Sequence, residues 1–144
     1  MIILDTNIVS VLVRPEPLRD PVVTQWLTGL PVGETHITAV TRAELLYGLA
    51  VMPPSRRKDA LILATRRLLE ALETLTEPFD TPAADQYAQI VAHRRRAGRP
   101  ISVHDAQIAA IAQTRSASLA TRNLKDFDGL GLRLVNPHDR ESWT

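Results

Sequence analysis

The 144-residue sequence contains no cysteine, and this absence excludes three kinds of chemistry. A disulfide framework, a thiolate zinc site and a cysteine nucleophile all need thiols. A chain without thiols suits the reducing cytosol, so we expect a cytoplasmic protein. Aromatic residues make up only 4% of the chain, which argues against the stacking platforms that hold single-stranded nucleic acids.

Long apolar runs and an excess of charge of one sign are also missing. No apolar stretch approaches the ~18 residues of a membrane span, and no basic segment precedes Asp5, so we expect neither a membrane helix nor a signal peptide. The 17 basic and 16 acidic residues leave a net charge of +1, which excludes a strongly basic overall surface. Two basic clusters, at 56–58 and 94–99, suit either phosphate contacts or solvated helix ends.

Short apolar runs alternate with helical patterns along the chain. The apolar runs predict strands at 2–5, 35–38, 118–121 and 133–135. Spacing and capping signals predict helices at 6–13, from Asp20-Pro21 to near Gly29, at 40–51, from Ser55 through Leu75, from the cap at Thr81-Pro82 to Gly98, and from Ser102 through Ala112. This alternation predicts one α/β domain over residues 1–144, with a parallel sheet covered by helices on both faces.

Two acidic residues occupy positions where such a fold places a site. Asp5 ends the first predicted strand, and open α/β sheets bind ligands at the carboxyl ends of their strands. Asp105 shares a helix face with Ile108 and Ala109, where a carboxylate is unfavourable unless it is paired, hydrogen-bonded or bound to metal. Each has a plainer interpretation, because Asp5 suits a helix cap and Ser102 to Asp105 has the spacing of a capping box.

Glu44 has the same two interpretations. Thr41 and Glu44 have capping-box spacing, yet helices that follow parallel strands present their first turns to one edge of the sheet. Asp5, Glu44 and Asp105 are therefore predicted to converge in an oxygen-rich pocket suited to Mg²⁺ or Mn²⁺. Asp126, in the loop after the predicted strand at 118–121, is the candidate for a fourth acid; the alternative is an ordinary loop aspartate.

Clustered carboxylates with divalent ions suit the hydrolysis of a phosphodiester. That reaction needs a nucleophilic water and a place for the charge on the leaving oxygen, and divalent ions supply both. Other chemistries have less support, since the sequence has no nucleophile-elbow serine, no Walker-type or GxGxxG loop and no paired histidines at metal spacing. His104 suits either a phosphate contact or a solvent-facing position, and the second is favoured.

Four motifs recur in a familiar order over nearly the whole chain. They are Leu4-Asp5-Thr6-Asn7, Ala43-Glu44-Leu45 with Tyr47-Gly48, Gly98-Arg99-Pro100 through Asp105 to Ala110, and Ala120-Thr121-Arg122-Asn123 with Asp126-Phe127. This set resembles PIN-domain ribonucleases, most specifically the VapC-type toxins of bacterial toxin–antitoxin pairs. The resemblance implies a three-layer α/β/α fold with a central parallel sheet, Mg²⁺- or Mn²⁺-dependent RNA cleavage, a homodimer and inhibition by a small antitoxin protein.

The resemblance also implies roles for particular residues. The acids at 5, 44 and 105 match the family's metal-site positions. Thr6 and Asn7 match the opening motif and would orient Asp5. Thr121 and Asn123, in the fourth motif, would likewise support the site without binding the metal. Asn123 stands where some members carry an aspartate, whereas others carry an acid three residues later, as Asp126 does here. The resemblance therefore leaves open whether Asp126 completes the site or only three acids do.

The function predicted from these observations is a metal-dependent endoribonuclease toxin. The alternative is a PIN-like fold kept as a catalytically inactive module that binds RNA or protein. Three converging acids favour the enzyme, because a binding module has no need of them. The leucines of the helices predicted from 40 and from 55 further indicate a homodimer and a groove for an apolar antitoxin segment.

Overall fold

The computed structural model describes residues 1–31 and 33–143, and over these ranges the chain forms five β-strands and seven α-helices. The strands are β1 (Ile2–Leu4), β2 (Thr35–Thr38), β3 (Thr76–Glu77), β4 (Ser118–Ala120) and β5 (Leu134–Val135). The helices are α1 (Thr6–Val13), α2 (Pro21–Thr28), α3 (Ala39–Ala50), α4 (Arg56–Ala71), α5 (Thr81–Arg96), α6 (Val103–Thr114) and α7 (Leu124–Phe127). Short 3₁₀ turns occupy Glu16–Leu18, Glu73–Leu75 and Arg140–Trp143.

The strands form a parallel sheet in the order β3-β2-β1-β4-β5, with β1 in the centre. Ile3 of β1 lies opposite His36 of β2 on one side and Leu119 of β4 on the other. The order of the strands reverses between β1 and β4, and open α/β sheets bind ligands at such a reversal. The predicted parallel sheet is confirmed, and the reversal directs attention to the carboxyl ends of β1 and β4.

Helices cover both faces of this sheet, and the central strand shows why. Ile3 is buried among residues of α5 and α6, whereas Leu4 is buried among residues of α1, α2 and α4. Successive side chains of a strand point to opposite faces, so a sheet that is apolar on both sides needs a helical layer on each. The three-layer α/β/α arrangement is therefore confirmed.

The end of α4 and the strand β3 differ from the prediction. The leucine pattern predicts a helix through Leu75, but α4 ends at Ala71 and the chain passes through a 3₁₀ turn into β3. The Leu75 amide donates to the Leu72 carbonyl at 2.9 Å, an i→i+3 bond that tightens this turn. β3 has two residues at the edge of the sheet, too few for a periodic signal, so its pairing with β2 defines it.

Helix starts and lengths otherwise follow the sequence signals closely. Asp20 accepts hydrogen bonds from two amides in the first turn of α2, as predicted. At α5 the cap is Asp80, one residue before the predicted Thr81, and its Oδ1 accepts from the Ala83 amide at 3.1 Å. In the described part of the chain, no helix is long and apolar enough to cross a membrane.

Candidate active site

Asp5 lies at the carboxyl end of β1, where the strand passes into α1. Its Oδ1 accepts from the Thr6 amide at 2.8 Å, so the residue does cap α1. Its Oδ2 accepts from the Thr121 hydroxyl at 2.8 Å. The residue is 6% exposed, and burial raises the pKa of its carboxyl to about 6, against the lowering effect of these two hydrogen bonds. Asp5 therefore caps α1 and is also a buried carboxyl that binds a proton at a higher pH than an ordinary aspartate does.

Thr121, the buried residue after β4, connects Asp5 to its surroundings. Its hydroxyl oxygen accepts from the Asn123 amide at 3.0 Å and from Asn7 Nδ2 at 3.4 Å. Because these donors occupy both lone pairs, the hydroxyl proton is left for Asp5. Asn7 therefore reaches Asp5 through Thr121, whereas the resemblance implied that it would orient Asp5 itself.

Glu44 lies in the second turn of α3 and faces α1. The helix begins at Ala39 after the cap Thr38, whose Oγ1 accepts from the Thr41 amide at 3.0 Å. The alternative interpretation of Thr41 to Glu44 as a capping box is therefore wrong, because Thr41 is already inside the helix. Glu44 Oε1 instead accepts from the Thr6 hydroxyl at 2.8 Å, which joins α3 to α1 beside Asp5.

Asp105 enters the same region from the first turn of α6. The capping interpretation holds in part, since Ser102 Oγ accepts from the Asp105 amide at 3.2 Å. Ile108 and Ala109 on the same helix face are fully buried, as predicted. Burial raises the pKa of the Asp105 carboxyl, a hydrogen bond with Ser102 lowers it, and the nearby charges of Asp126 and Glu44 raise it.

Asp126 lies in α7, a single helical turn that follows Asn123. Its amide donates to the Asn123 carbonyl at 3.1 Å, and the next residue, Phe127, is buried and anchors the turn in the core. The side chains of Asn123 and Asp126 are exposed. The charge of Asp126 adds to the raised pKa of Asp105, so the two side chains interact electrostatically.

Asp5, Glu44, Asp105 and Asp126, which we call the acidic cluster, interact electrostatically. Their carboxylates do not converge on one common position. Asp105 and Glu44 also add to the raised pKa of Asp5. Within residues 1–31 and 33–143, however, no three His, Asp or Glu side chains are grouped closely enough to hold a metal ion as they stand. Like charges repel, which opposes a tighter arrangement of the carboxylates. Their chemistry nevertheless fits Mg²⁺ or Mn²⁺, since the donors are carboxylate oxygens.

Comparison with known proteins places the chain in a family. The model of the PIN domain matches residues 2–131. The chain belongs to the PIN-domain family. The VapC ribonuclease Y4jK of Sinorhizobium fredii is 36% identical to this PIN domain over 140 residues, which cover 95% of this chain and 97% of the relative.

Solved structures agree with this assignment. The crystal structure of FitAcB from Neisseria gonorrhoeae matches this PIN domain with a TM-score of 0.87 and 33% identity, over 96% of this chain and 99% of the other. A toxin–antitoxin complex from Klebsiella pneumoniae matches with a TM-score of 0.68 and 26% identity, over 95% of this chain and 98% of the other. The predicted fold and the predicted class of enzyme, a nuclease, are both confirmed.

One contact in the PIN domain's acidic cluster was not foreseen from the sequence. His104 has a side chain that is 60% exposed, as expected, yet its Nδ1 lies 3.5 Å from Glu44 Oε2. The position of His104 beside Asp105 indicated that it was near the cluster. Nothing local indicated that it would meet Glu44, because these two residues come from different helices.

Proposed function

We propose that this chain is a single-domain endoribonuclease that hydrolyses RNA phosphodiester bonds with Mg²⁺ or Mn²⁺ and acts as the toxin of a toxin–antitoxin pair. The acidic cluster at the carboxyl edge of the sheet is the observation that carries this proposal. Burial raises the pKa of Asp5 and of Asp105, and the neighbouring acids add to both increases, an unfavourable arrangement that a binding module would not need. The name of the Sinorhizobium relative, a ribonuclease, supports RNA as the substrate.

Asp5, Glu44 and Asp105 would hold the divalent ion, with Asp126 on the open side. When bound, such an ion acidifies a water and balances the charge on the phosphate and on the leaving oxygen. Asp5 is held by two hydrogen bonds, so it is the fixed member of the set. Asp105 is partly exposed and Asp126 is exposed, so their side chains have room to turn toward an ion.

Two threonine hydroxyls set the geometry of the proposed ligands. The Thr121 hydroxyl donates to Asp5 Oδ2, and the Thr6 hydroxyl donates to Glu44 Oε1, each at 2.8 Å. Both bonds restrict the rotation of the carboxylates, and the bond from Thr121 also lowers the pKa of Asp5. We infer that Thr6 and Thr121 position these acids, while Asn7 and Asn123 hold Thr121 in place.

The test is RNA cleavage by the purified protein, freed of any partner. We expect cleavage to require Mg²⁺ or Mn²⁺ and to stop on chelation; undiminished cleavage in excess EDTA contradicts the metal mechanism. Asp5→Asn keeps the shape and removes a charge, so the rate should fall by orders of magnitude. Asp85→Asn, which changes an exposed aspartate on α5, is the matched control and should cleave normally. A fully active Asp5→Asn variant would leave Asp5 as a helix cap.

An apolar groove supports a small antitoxin protein as the partner. It has a volume of about 780 Å³ and lies between the end of α1, the 3₁₀ turn after it and α4. Arg14, Arg19 and Arg57 border it, which favours a partner segment that combines apolar and acidic side chains. The Klebsiella structure, a toxin–antitoxin complex, supports this class of partner. The remaining lining residues are Val13, Pro15, Leu18, Ala60, Leu61 and Ala64.

The antitoxin proposal is tested by co-expression with a short reading frame adjacent to this gene. The small protein should co-purify with the chain and suppress its RNA cleavage. Leu61→Asp, in the groove, should release the cleavage activity, whereas Leu63→Asp, exposed on the same helix outside the groove, should not. Equal inhibition of both variants would place the partner elsewhere.

An exposed apolar surface supports the proposed homodimer. Leu46, Tyr47 and Val51, on α3 and at its C-cap, are 40%, 70% and 61% exposed. Apolar side chains grouped in this way mark an interaction surface. Light scattering should give twice the mass of the chain, and Tyr47→Asp should reduce it to that of one chain. A monomer that persists at all concentrations would contradict the dimer.

A further inference from the structure

Arg94, in the last turn of α5, is a buried cation outside the acidic cluster. It is 5% exposed, and buried charges normally pair with an opposite charge. Among the described residues, the Arg94 guanidinium donates to backbone carbonyl oxygens and to no carboxylate, and its Nε has no hydrogen-bond partner. An apolar side chain of similar length would avoid this desolvation penalty. The arginine therefore needs an explanation other than packing.

The carbonyl groups that Arg94 contacts belong to two segments that lead into the acidic cluster. Its Nη2 donates to the carbonyls of Lys125, at 3.4 Å, and of Asp126. Its Nη1 donates to the carbonyl of Arg99 at 3.3 Å, in the loop that leads to the cap of α6 and so to Asp105. The last carbonyls of a helix lack partners within the helix and attract cations, and α7 is one turn long. Arg94 thus joins the turn of Asp126 to the loop before Asp105.

We propose that Arg94 is a positioning residue, which holds the backbone of the α7 turn and so sets where the Asp126 carboxylate lies relative to Asp105. The inference rests on the proposed function, in which both acids serve the metal site. Phe127 anchors one side of the turn in the core, and Arg94 fixes the backbone of Asp126 itself. Asp126 is exposed and its turn has no side-chain cap. Arg99 Nη2 also donates to the Lys125 carbonyl at 3.4 Å, whereas the carbonyl of Asp126 accepts from Arg94.

The first experiment measures the α7 turn in chelated protein. Arg94→Met keeps most of the side chain's length and removes all of its donors, and the matched control is Arg95→Met at the exposed neighbouring position. Amide hydrogen exchange at residues 124–128 should be faster in Arg94→Met by about tenfold, the scale expected when a buried hydrogen bond is lost. The control should exchange like the wild type. Unchanged exchange in Arg94→Met overturns the proposal whether or not the protein cleaves RNA.

The second experiment measures Mn²⁺ binding by electron paramagnetic resonance at pH 7.5. Arg94→Met should weaken binding on the order of tenfold, and Arg94→Lys should recover part of the loss because an ammonium group can donate to the same carbonyls. In an Asp126→Asn background, Arg94→Met should cause no further loss. Equal losses in both backgrounds would show a structural role that does not act through Asp126, and would overturn the proposal.

Failure of this proposal and failure of the proposed function have different signatures. A wild-type protein that binds Mn²⁺ and does not cleave RNA contradicts the proposed function, while the exchange and binding data on Arg94 still decide its role. A wild-type protein that binds no Mn²⁺ overturns both. If Arg94→Met does not fold, Arg94→Lys is measured alone and should show intermediate exchange and Mn²⁺ binding. An ammonium group cannot reproduce all three contacts of the guanidinium with carbonyl oxygens, so wild-type values in Arg94→Lys would contradict the proposal.

Discussion

Replacing Asp5 by asparagine should stabilise the chelated protein at neutral pH while abolishing its proposed activity. Burial raises the pKa of the Asp5 carboxyl from 3.8 to about 6. The folded state therefore holds this proton more tightly than the unfolded state does. The contribution of Asp5 to the free energy of unfolding is fully present below pH 4. It is lost as the pH rises from 4 through 6, because the ionised carboxylate opposes folding. Asparagine does not ionise, so the stability of the Asp5→Asn variant does not fall over this pH range for this reason.

The expected size of the effect follows from the hydrogen bonds and the pKa. A shift from 3.8 to about 6 corresponds to roughly 3 kcal/mol in the free energy of unfolding at pH 7.5. The asparagine carbonyl can keep the bond from the Thr6 amide, but its NH₂ group cannot accept the Thr121 proton, a loss of about 1 kcal/mol. The net gain should be about 2 kcal/mol at pH 7.5, changing to a slight loss at pH 4.

The assay is urea denaturation in a chelating buffer at both pH values, followed by circular dichroism. Asp85→Asn is the control, because this aspartate is exposed and its replacement should change stability little at either pH. An Asp5→Asn variant that is less stable than the wild type at pH 7.5, or that differs from it equally at both pH values, would refute the reasoning. It would show that ionisation of Asp5 does not oppose folding.

Four further outcomes are expected. Asp126→Asn should weaken RNA cleavage less than Asp5→Asn does, and its cleavage rate should recover at high Mn²⁺. Asn123→Asp should cleave RNA normally. Wild-type rates for Asp126→Asn at all metal concentrations would show that the site has only three acids. Thr121→Val removes a hydrogen bond that lowers the pKa of Asp5, so the pH midpoint of Mn²⁺ binding should move upward in that variant; an unchanged midpoint would contradict this link. Mn²⁺ binding near pH 6 should release protons, which calorimetry in buffers of different ionisation enthalpy detects; no dependence on the buffer would mean that Asp5 does not titrate with the ion.

Much of the fold is local and was accessible from the sequence. The apolar run before Asp5 predicted the central strand, and the signal at Asp20-Pro21 predicted the start of α2. Short strands that alternate with amphipathic helices have few stable arrangements, so the parallel sheet with two helical layers followed. The same rule placed Asp5, Glu44 and Asp105 at one edge, because the carboxyl ends of parallel strands share an edge.

Tertiary structure alone decided which side chains contact one another at that edge and how each contact changes the pKa or the orientation of its partners. Thr6 and Glu44 are 38 residues apart in sequence, and Asp5 and Thr121 are 116 apart, so no local pattern announces either hydrogen bond. The same holds for Arg94, whose place in a basic run resembles that of a solvated helix end, although the fold buries it beneath α7. Periodicity and capping report interactions within a few residues, whereas burial, pKa and orientation depend on neighbours that only the folded chain brings together.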